Sequence, residues 1–333
     1  MLSGETFLEA FAKLKNHGAW TLVCHEHPDG DTLGSAFALY SLAKRCGKRA
    51  AIVSKDPLPP VFSFFPYSGE LVCASSAPRS LAEGALLIAV DMSTAERSVD
   101  NFGELLSACE DSLCIDHHGD NRLFCKTNLV DPGASATAEI VVRLMELYGE
   151  GITADEAAAL YTALSTDNGS FRFSSTTAES HRCAEILLEA GAKPDEIDDR
   201  VSQNMSAASL RLWGLALSRT ETFGGGERAI FWLRREELEE SGAGSAELDG
   251  LVNMLLRIKG VKLALFLTEY DGYCKLSVRA RPPYSARAVA AAFGGGGHPC
   301  AAGAKAAGAF DDVLERLKKE ALNDAVLGDT SRK

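Results

Sequence analysis

The chain has 333 residues, 46% of them hydrophobic and 24% charged, a size and composition that suggest about two globular domains with sizeable cores. Its net charge of −12 argues against binding to long or duplex nucleic acid, which relies on many phosphate contacts from Lys and Arg. No apolar run approaches the ~20 residues of a membrane helix, and the N-terminus lacks the pattern of a secretory signal. The nine cysteines form no Cys-x-x-Cys pair, so we expect a cytoplasmic protein with free thiols, no membrane contact and no zinc or redox site.

The N-terminal part of the chain alternates strand-like and helix-like segments. In chain order we predict a helix at 5–18, a strand at 20–24, a helix at 34–47, strands at 49–54, 85–90 and 112–115, and helices at about 136–148, 153–166 and 177–190. The stretch 56–80 is Pro-rich and irregular. This order, with strands that are apolar on both faces, is typical of a doubly wound α/β domain with a mainly parallel sheet.

The composition changes at Gly191 to Asp199, where a Gly-Ala-Lys-Pro sequence and acidic residues indicate a domain boundary. We predict a first domain over residues 1–195, a helical connector over 196–222 and a smaller α/β domain over 223–333. In the smaller domain, strands are predicted at about 228–233, 261–270 and 274–280, and helices at about 246–257, 285–293 and 310–325.

Side chains that bind metals follow three of the predicted strands, and another lies at a helix end. In chain order they are His25 with Asp29 and Asp31, Asp91, Asp116 with His117 and His118, and Asp167. Each alone could be a helix cap, a turn residue or part of a polar surface loop. Because ligands bind beyond the carboxyl ends of parallel strands, their joint arrival at one sheet edge indicates a single site.

That site would concentrate up to five carboxylates. Two like charges about 4 Å apart repel by ~4 kcal/mol at an effective dielectric near 20, and several such pairs would exceed the ~5–15 kcal/mol stability of a typical fold. Either some carboxylates are protonated or cations neutralise them, and two divalent ions would supply four positive charges. Histidine and carboxylate ligands without cysteine suit Mn²⁺, with Mg²⁺, Fe²⁺ or Co²⁺ as alternatives, better than structural zinc.

Gly30 lies between two of these carboxylates, Asp29 and Asp31. We expect this glycine to let the backbone turn sharply, so that the two carboxylates face different ions. The segment from His25 to Asp31 is then a plausible clamp for two metals, the standard arrangement for hydrolysis of phosphoesters.

The second domain carries a different pattern. Four consecutive glycines precede His298, and such a run lets backbone N–H groups approach an anion. Arg279 and Arg281 lie on or just after a predicted strand, where residues two apart share a face, and guanidinium groups suit phosphate. The alternative is a flexible glycine loop with solvated arginines; with Arg279 and His298 nearby, we favour anion binding.

Together these motifs resemble the DHH/DHHA1 phosphoesterases, most closely the stand-alone bacterial NrnA-type oligoribonucleases and 3′-phosphoadenosine 5′-phosphate phosphatases. The matching segments span about residues 20–303 in family order and are His25-Glu26-His27-Pro28-Asp29-Gly30-Asp31, Val90-Asp91, Asp116-His117-His118, Thr166-Asp167-Asn168-Gly169, Ser277-Val278-Arg279 and Gly294 to His298 with Ala301-Ala302-Gly303. Two departures, His27 where Asn is common and Asn168 where Thr is common, are expected to change only the tuning of the site.

The resemblance implies a role for each matching residue. One metal would be bound by His25, Asp29 and Asp91, and a second by Asp31, Asp91, His117 and Asp167, with Asp91 bridging the two. His118 would contact the scissile phosphate and act as an acid, while Asp116 would orient a histidine. The substrate phosphate would be held in the DHHA1 domain by Arg279, Arg281, Gly295, Gly296 and His298.

The expected function is that of a cytoplasmic phosphoesterase with two Mn²⁺ ions per chain, acting on short RNA or DNA oligonucleotides or on small phosphorylated nucleotides. A homodimer is left open. The nearest alternative is a soluble pApA or cyclic-di-AMP phosphodiesterase. An inorganic pyrophosphatase fits less well because of the glycine–histidine motif. The acidic charge argues against a RecJ-type long-strand exonuclease, and the complete ligand set argues against an inactive nucleotide-binding regulator. The segment Phe171-Arg172-Phe173 could stack on a base or contact phosphate. Such segments more often only pack against the rest of the protein, and we favour that interpretation.

Overall fold

The computed structural model describes residues 4–243, 248, 250–297 and 299–323. The chain divides into two compact units between Asn204 and Met205. Within the described ranges, no helix combines the length and the apolar character needed to cross a lipid bilayer. All nine cysteines lie in these ranges and are free; Cys73 and Cys300 are exposed.

The first unit alternates helices and strands. Its helices are α1 (Gly4–Asn16), α2 (Gly30–Arg45), α3 (Phe102–Ala108), α4 (Thr137–Tyr148), α5 (Ala154–Asp167), α6 (Ala178–Glu189) and α7 (Pro194–Val201). Its strands are β1 (Ala19–Cys24), β2 (Arg49–Ser54), β3 (Leu71–Cys73), β4 (Leu86–Val90), β5 (Asp111–Asp116) and β6 (Thr127–Val130). The connection between β2 and β4 contains β3 and short 3₁₀ helices at Pro60–Phe62, Ser68–Glu70 and Arg79–Leu81.

Within residues 4–204 the six strands form one parallel sheet in the order β3-β2-β1-β4-β5-β6. This is a doubly wound order, in which the chain changes direction between β1 and β4 and opens a crevice beyond their carboxyl ends. Leu22 and Ile88 belong to the core on one face of the sheet, and Val23 and Leu87 to the core on the other. The predicted fold class is therefore confirmed for this unit.

Helices α2 and α5 pack unusually closely because small residues line their contact. A Cβ atom at Gly34 would lie 2.3 Å from the backbone oxygen of Ala159 and 2.9 Å from the Cβ of Ala163. Glycine is thus required at this position to let the two helices approach. Since α2 begins and α5 ends at the carboxyl edge of the sheet, this contact sets the distance between their terminal residues.

The second unit has a smaller mixed sheet. Its helices are α8 (Ala207–Ser218), α9 (Arg235–Ser241), α10 (Ala286–Ala291) and α11 (Phe310–Glu320), with a 3₁₀ helix at Leu251–Arg257. Its strands are β7 (Glu221–Phe223), β8 (Arg228–Leu233), β9 (Leu263–Tyr270), β10 (Tyr273–Ala280), β11 (Gly296–Gly297) and β12 (Ala301–Ala306). In the described part of this unit the strand order is β11-β12-β10-β9-β8-β7, and only β8 and β9 run parallel.

Several local expectations were wrong. The segment read as a domain boundary forms helix α7, which starts at Pro194, a residue favoured in the first turn of a helix. Helix α2 begins at Gly30 instead of Gly34, because the Asp29 side chain caps its first turn. The helix predicted at 246–257 is a 3₁₀ helix at Leu251–Arg257, and residues 246, 247 and 249 of it lie outside the described part. The domain limits 1–195, 196–222 and 223–333 stay predictions.

Candidate active site

The first group of candidate ligands lies where the strand order reverses, between β1 and β4. His25 follows β1 and Asp91 follows β4, and these strands are neighbours. The Nε2 atom of His25 lies 3.5 Å from Oδ2 of Asp91 and 3.5 Å from Oδ1 of Asp29. The other ring nitrogen, Nδ1, lies 2.7 Å from the backbone oxygen of Glu26, which fixes the ring so that Nε2 faces the two carboxylates.

The second group of candidate ligands surrounds the ring of His117. Nε2 of His117 lies 3.4 Å from Asp167, 3.6 Å from Asp91 and 3.9 Å from Asp31. The Nδ1 atom of His117 lies 3.3 Å from the backbone oxygen of Ala134, so this ring is also fixed from behind. Oxygen and nitrogen atoms of His117, Asp31 and Asp167 lie within 4.8 Å of one another, as do those of His25, Asp29 and Asp91.

Asp91 takes part in both groups, one oxygen in each. Its Oδ2 faces His25 at 3.5 Å, whereas its Oδ1 faces His117 at 3.6 Å and His118 at 3.6 Å. The residue is buried and has a φ of +58°, a left-handed conformation that is uncommon outside glycine. Backbone strain of this kind persists where the surrounding structure enforces it, and it often marks functional sites.

His118 lies beside the two groups, with a ligand atom within 4.8 Å of those of Asp91 and His117, and is anchored by a buried carboxylate. Its Nδ1 donates to Oδ1 of Asp116 at 2.7 Å. Asp116 also accepts hydrogen bonds from the His117 backbone N–H at 2.8 Å and from the Asn121 side chain at 2.6 Å. Asp116 is fully buried, whereas a third of the His118 side chain is exposed. This arrangement leaves Nε2 of His118 free to meet a substrate.

The proton affinities of these groups reflect the crowding of carboxylates. Burial would lower the pKa of His25, but its contacts with Asp29 and Asp91 outweigh burial and raise that pKa to about 10. Burial, followed by the charges of Asp91 and Asp167, raises the pKa of Asp31 well above its usual range. Burial also raises the pKa of Asp167 to about 6, against the opposing effect of His117. Cations would remove the electrostatic cost of ionising these carboxylates.

The pair Asp116–His118 behaves differently. The hydrogen bond to Asp116 raises the pKa of His118, against the opposing effect of burial. Burial would raise the pKa of Asp116, but hydrogen bonds from His118 and Asn121 hold it below its usual value. The hydrogen bond between the two residues therefore favours the protonated form of His118 and the ionised form of Asp116.

A segment that the sequence did not single out supports both groups. Residues 134–139, which we call the support segment, run into the first turn of helix α4 and provide none of the candidate ligands. The backbone N–H groups of Thr137 and Ala138 donate to Asp31 at 2.6 and 3.0 Å, and the Thr137 hydroxyl donates to Oδ1 of Asp91 at 3.0 Å. Carboxylates are stabilised at a helix N-terminus by the orphan N–H groups and the helix dipole.

Ser135, in the same segment, reaches the helix end that carries Asp167. Its hydroxyl donates to the buried Glu139 and accepts from Ser180 at 3.0 Å and from Asn168 at 3.5 Å. Asn168 is fully buried directly after Asp167. The support segment thus contacts Asp31, Asp91 and His117 directly, and Asp167 through its neighbour.

Gly30 has a different role from the one expected. Its φ is not in the left-handed region, and it forms the first residue of α2. A Cβ atom at this position would lie 2.4 Å from Oγ1 of Thr166, the residue before Asp167. The glycine is therefore needed for close approach between the start of α2, which carries Asp29 and Asp31, and the end of α5, which carries Asp167. The predicted sharp turn is wrong.

The predicted phosphate-binding residues lie in the second unit. Arg279 is in β10, half-exposed, and Arg281 follows that strand and is exposed. The N–H of Gly295 donates to the Ala290 backbone oxygen at 2.9 Å, and a Cβ there would lie 2.1 Å from the oxygen of Gly303. Gly296 pairs with Gly303 in strand β11, so this part of the glycine run is a paired strand instead of a flexible loop. His298 lies outside the described residues.

Two family models match the chain: the DHH family, N-terminal domain, over residues 20–164, and the DHHA1 domain over residues 231–323. A Thermus thermophilus protein named bifunctional oligoribonuclease and PAP phosphatase NrnA is 35% identical, covering 90% of this chain and 89% of its own length. This chain belongs to the DHH family. The predicted family and the prediction of a phosphoester hydrolase are confirmed.

Two further proteins are similar to this DHH-family chain. The crystal structure of an exopolyphosphatase-related protein from Bacteroides fragilis is similar with a TM-score of 0.89 and 25% identity, over 96% of both chains. A Listeria monocytogenes protein named cyclic-di-AMP phosphodiesterase PdeA is 23% identical over 82% of this chain and 42% of its own length. The fold is therefore shared with the Bacteroides fragilis structure over nearly the whole chain.

Proposed function

We propose that the protein is a Mn²⁺-dependent phosphoesterase with two ions per chain, which hydrolyses short oligonucleotides to mononucleotides, 3′-phosphoadenosine 5′-phosphate to AMP, or both. The observation that carries this proposal is the geometry of Asp91. Its two oxygens face two separate groups of ligand atoms, at 3.5 Å from His25 and 3.6 Å from His117. A single carboxylate shared in this way is suited to bridge two cations.

The donor atoms fit such ions. Imidazole nitrogens and carboxylate oxygens converge without a thiolate, a set that favours Mn²⁺ over structural zinc, with Mg²⁺ or Co²⁺ as alternatives. His25, Asp29 and Asp91 would hold one ion, and Asp31, Asp91, His117 and Asp167 the other. When bound, the two ions would lower the pKa of a shared water and offset charge on the phosphoryl oxygens.

The remaining residues of the site would bind and protonate the substrate. The hydrogen bond to Asp116 favours the protonated form of His118, and the ring is partly exposed beside Asp91. We assign His118 to contact the scissile phosphate and to donate its proton to the leaving oxygen, with Asp116 orienting the ring. Arg279, Arg281, Gly296 and the residue at 298 are proposed to hold a second phosphate of the substrate, since guanidinium groups bind phosphate well. Gly295 remains a weaker candidate because its N–H is already bonded.

A soluble pApA or cyclic-di-AMP phosphodiesterase remains the second candidate, supported by the similarity to the Listeria protein of that name. We propose a cytoplasmic location, because nine free cysteines suit a reducing compartment. Short substrates and no long duplex are proposed because the chain carries a net charge of −12. Whether the chain forms a homodimer is to be measured by light scattering.

One panel of substrates tests these proposals. With Mn²⁺ present, the protein should release mononucleotide from RNAs of two to five nucleotides or phosphate from 3′-phosphoadenosine 5′-phosphate, and Asp91→Ala should abolish both reactions. pApA and cyclic-di-AMP distinguish the second candidate. Equal turnover of a two-nucleotide and a twenty-nucleotide RNA would contradict the proposed size limit. Full activity of Asp91→Ala would contradict the bridging role, and absence of all turnover would support an inactive regulator instead.

A further inference from the structure

The turn that follows Asp167 is strained and carries an aromatic residue. Gly169, Ser170 and Phe171 have φ values of +63°, +55° and +63°, so three consecutive residues are left-handed. For serine and phenylalanine this conformation is uncommon and costs of order 1–3 kcal/mol per residue. A turn built from glycine or asparagine would avoid this cost, so the position of the Phe171 side chain calls for an explanation.

Phe171 forms part of the wall of a cavity of about 510 Å³ between helices α5 and α7, which we call the α5–α7 cavity. The cavity begins beside the candidate active site, because Thr166 and Gly169, which flank Asp167, also line it. Tyr161, Ile197 and Val201 complete its apolar wall. Its volume falls within the ~300–1,000 Å³ range of small-molecule sites.

The wall suits a flat, neutral ring with polar edges. Phe171 stacks on His181 with a centroid distance of 5.1 Å and lies 6.1 Å from the Tyr161 ring. These contacts fix the orientation of the Phe171 ring. Ser165 and Thr166, which also line the cavity, precede Asp167, and their hydroxyl groups donate to the backbone oxygen of Thr162 at 3.2 and 2.8 Å.

The charged side chains of the cavity are already engaged. Nε of Arg172 donates to the Gly169 backbone oxygen at 2.7 Å. The Asp198 carboxylate accepts from the Gln203 side chain at 3.1 Å, and the Asp198 backbone oxygen accepts from the Ser202 N–H at 2.7 Å. A strongly charged ligand would have to compete for these groups, whereas an aromatic ring would not.

We propose that the α5–α7 cavity binds the base of the nucleotide whose scissile phosphate lies in the candidate active site beside Asp167. The inference rests on the proposed function, because it takes the substrate to be a nucleotide. Binding would rely on contact with aromatic and aliphatic side chains, which every base can make, so the cavity would accept all four bases with similar affinity. This property would suit an enzyme that degrades short oligonucleotides of any sequence.

Two variants test the cavity. Val201→Trp fills it from a half-exposed position on α7, and Phe171→Leu removes the aromatic wall while keeping apolar bulk. Each should raise KM for pApA about tenfold, the usual size of one base–aromatic stack, and leave kcat within about twofold. The matched control is Leu8→Ala on α1, since Leu8 is 59% exposed and does not line the cavity. Mn²⁺ binding by calorimetry should be unchanged in all three variants.

Dinucleotides with one base removed show whether the effect acts through the base. If the cavity binds the base of one nucleotide, the dinucleotide that lacks this base should have a higher KM with the wild type than pApA has. For that abasic dinucleotide, Val201→Trp should not raise KM further. An equal KM increase with both abasic dinucleotides, or no increase with pApA, would overturn the inference.

Calorimetry with AMP and Mn²⁺ separates this inference from the proposed function. If the wild type hydrolyses neither short oligonucleotides nor 3′-phosphoadenosine 5′-phosphate, the proposed function fails, but AMP binding still tests the cavity. AMP affinity that falls about tenfold in Val201→Trp and not in Leu8→Ala supports the cavity. Unchanged AMP affinity in Val201→Trp, or no AMP binding by the wild type, contradicts it.

Discussion

Thr137 offers the sharpest test of how the site is organised, because it acts on Asp91 without being a candidate ligand. Its hydroxyl donates to Oδ1 of Asp91 at 3.0 Å, and both residues are buried. Oδ1 is the oxygen that faces His117, whereas Oδ2 faces His25. Thr137→Val keeps the shape of the side chain and removes only the donor, so its effect should fall on the ion that His117, Asp31 and Asp167 are proposed to bind.

The size of the effect follows from the kind of hydrogen bond. A hydrogen bond to a charged group contributes about 1.5–3 kcal/mol, and each 1.4 kcal/mol changes an equilibrium constant about tenfold. Mutations of groups that orient metal ligands usually cost about 10–100-fold in metal affinity or activity. We therefore expect Thr137→Val to weaken Mn²⁺ binding to one of the two sites by about 10–100-fold.

Calorimetric titration of the metal-free protein with Mn²⁺ would measure this change. The titration should show one site with wild-type affinity and one weakened site, and Thr137→Ser, which keeps the hydroxyl, should restore both. The melting temperature of the metal-free variant separates lost binding from lost folding. Two unchanged sites in a folded Thr137→Val protein would refute the proposed role of the hydroxyl, and equal weakening of both sites would refute the assignment of Oδ1 to one ion.

Three further predictions concern packing, the paired histidines and pH. Gly34→Ala should lower the stability of the first unit by about 1–3 kcal/mol through overpacking against Ala159. Gly214→Ala, in an open helical position, should instead raise stability by up to ~1 kcal/mol. A melting temperature that rises in Gly34→Ala and falls in Gly214→Ala would contradict the close α2–α5 contact. His117→Ala should weaken Mn²⁺ binding, whereas His118→Ala should spare it and lower kcat by about 10²–10⁴, and equal loss of metal in both would refute the division of roles. Since the pKa of Asp167 is about 6 in the metal-free fold against an ordinary 3.8, a proton competes with a cation there. The rise in melting temperature caused by Mn²⁺ should therefore grow as the pH increases through about 6, and a rise that does not depend on pH would contradict this coupling.

The strands and the residues that follow them could be predicted because their signals are local. Continuous apolar runs marked β1, β4 and β5, and the polar residues directly after each run could only lie at the carboxyl edge of a parallel sheet. In the structure, Asp91 lies 3.5 Å from His25 and 3.6 Å from His117, as that reasoning expected. Their assignment as ligands still depends on the metal-binding experiments.

The edge strands and helix α7 escaped prediction for a different reason. Strands β3 and β6 are three and four residues long, and their short segments carry too few residues to show a period. Helix α7 is eight residues long and mostly polar, with Ile197 as its one fully buried side chain among the described residues 194–201. Its acidic composition resembled a linker, and only contact with its neighbours in the first unit distinguishes it from one.

The support segment shows a more general limit of sequence reasoning. Ala134 and Ala138 act on the site through a backbone oxygen and a backbone N–H, so any residue other than proline could make the Ala138 contact, and the residue types carry no signal. Thr137 and Ser135 do act through side chains, but hydroxyl residues before a helix are ordinarily read as caps. What the sequence shows is which groups could bind a metal; what holds them in place is the start of helix α4, and only the fold brings that helix end to the ligands. The site is therefore expected to be as sensitive to Thr137 as to some of the residues that contact the ions.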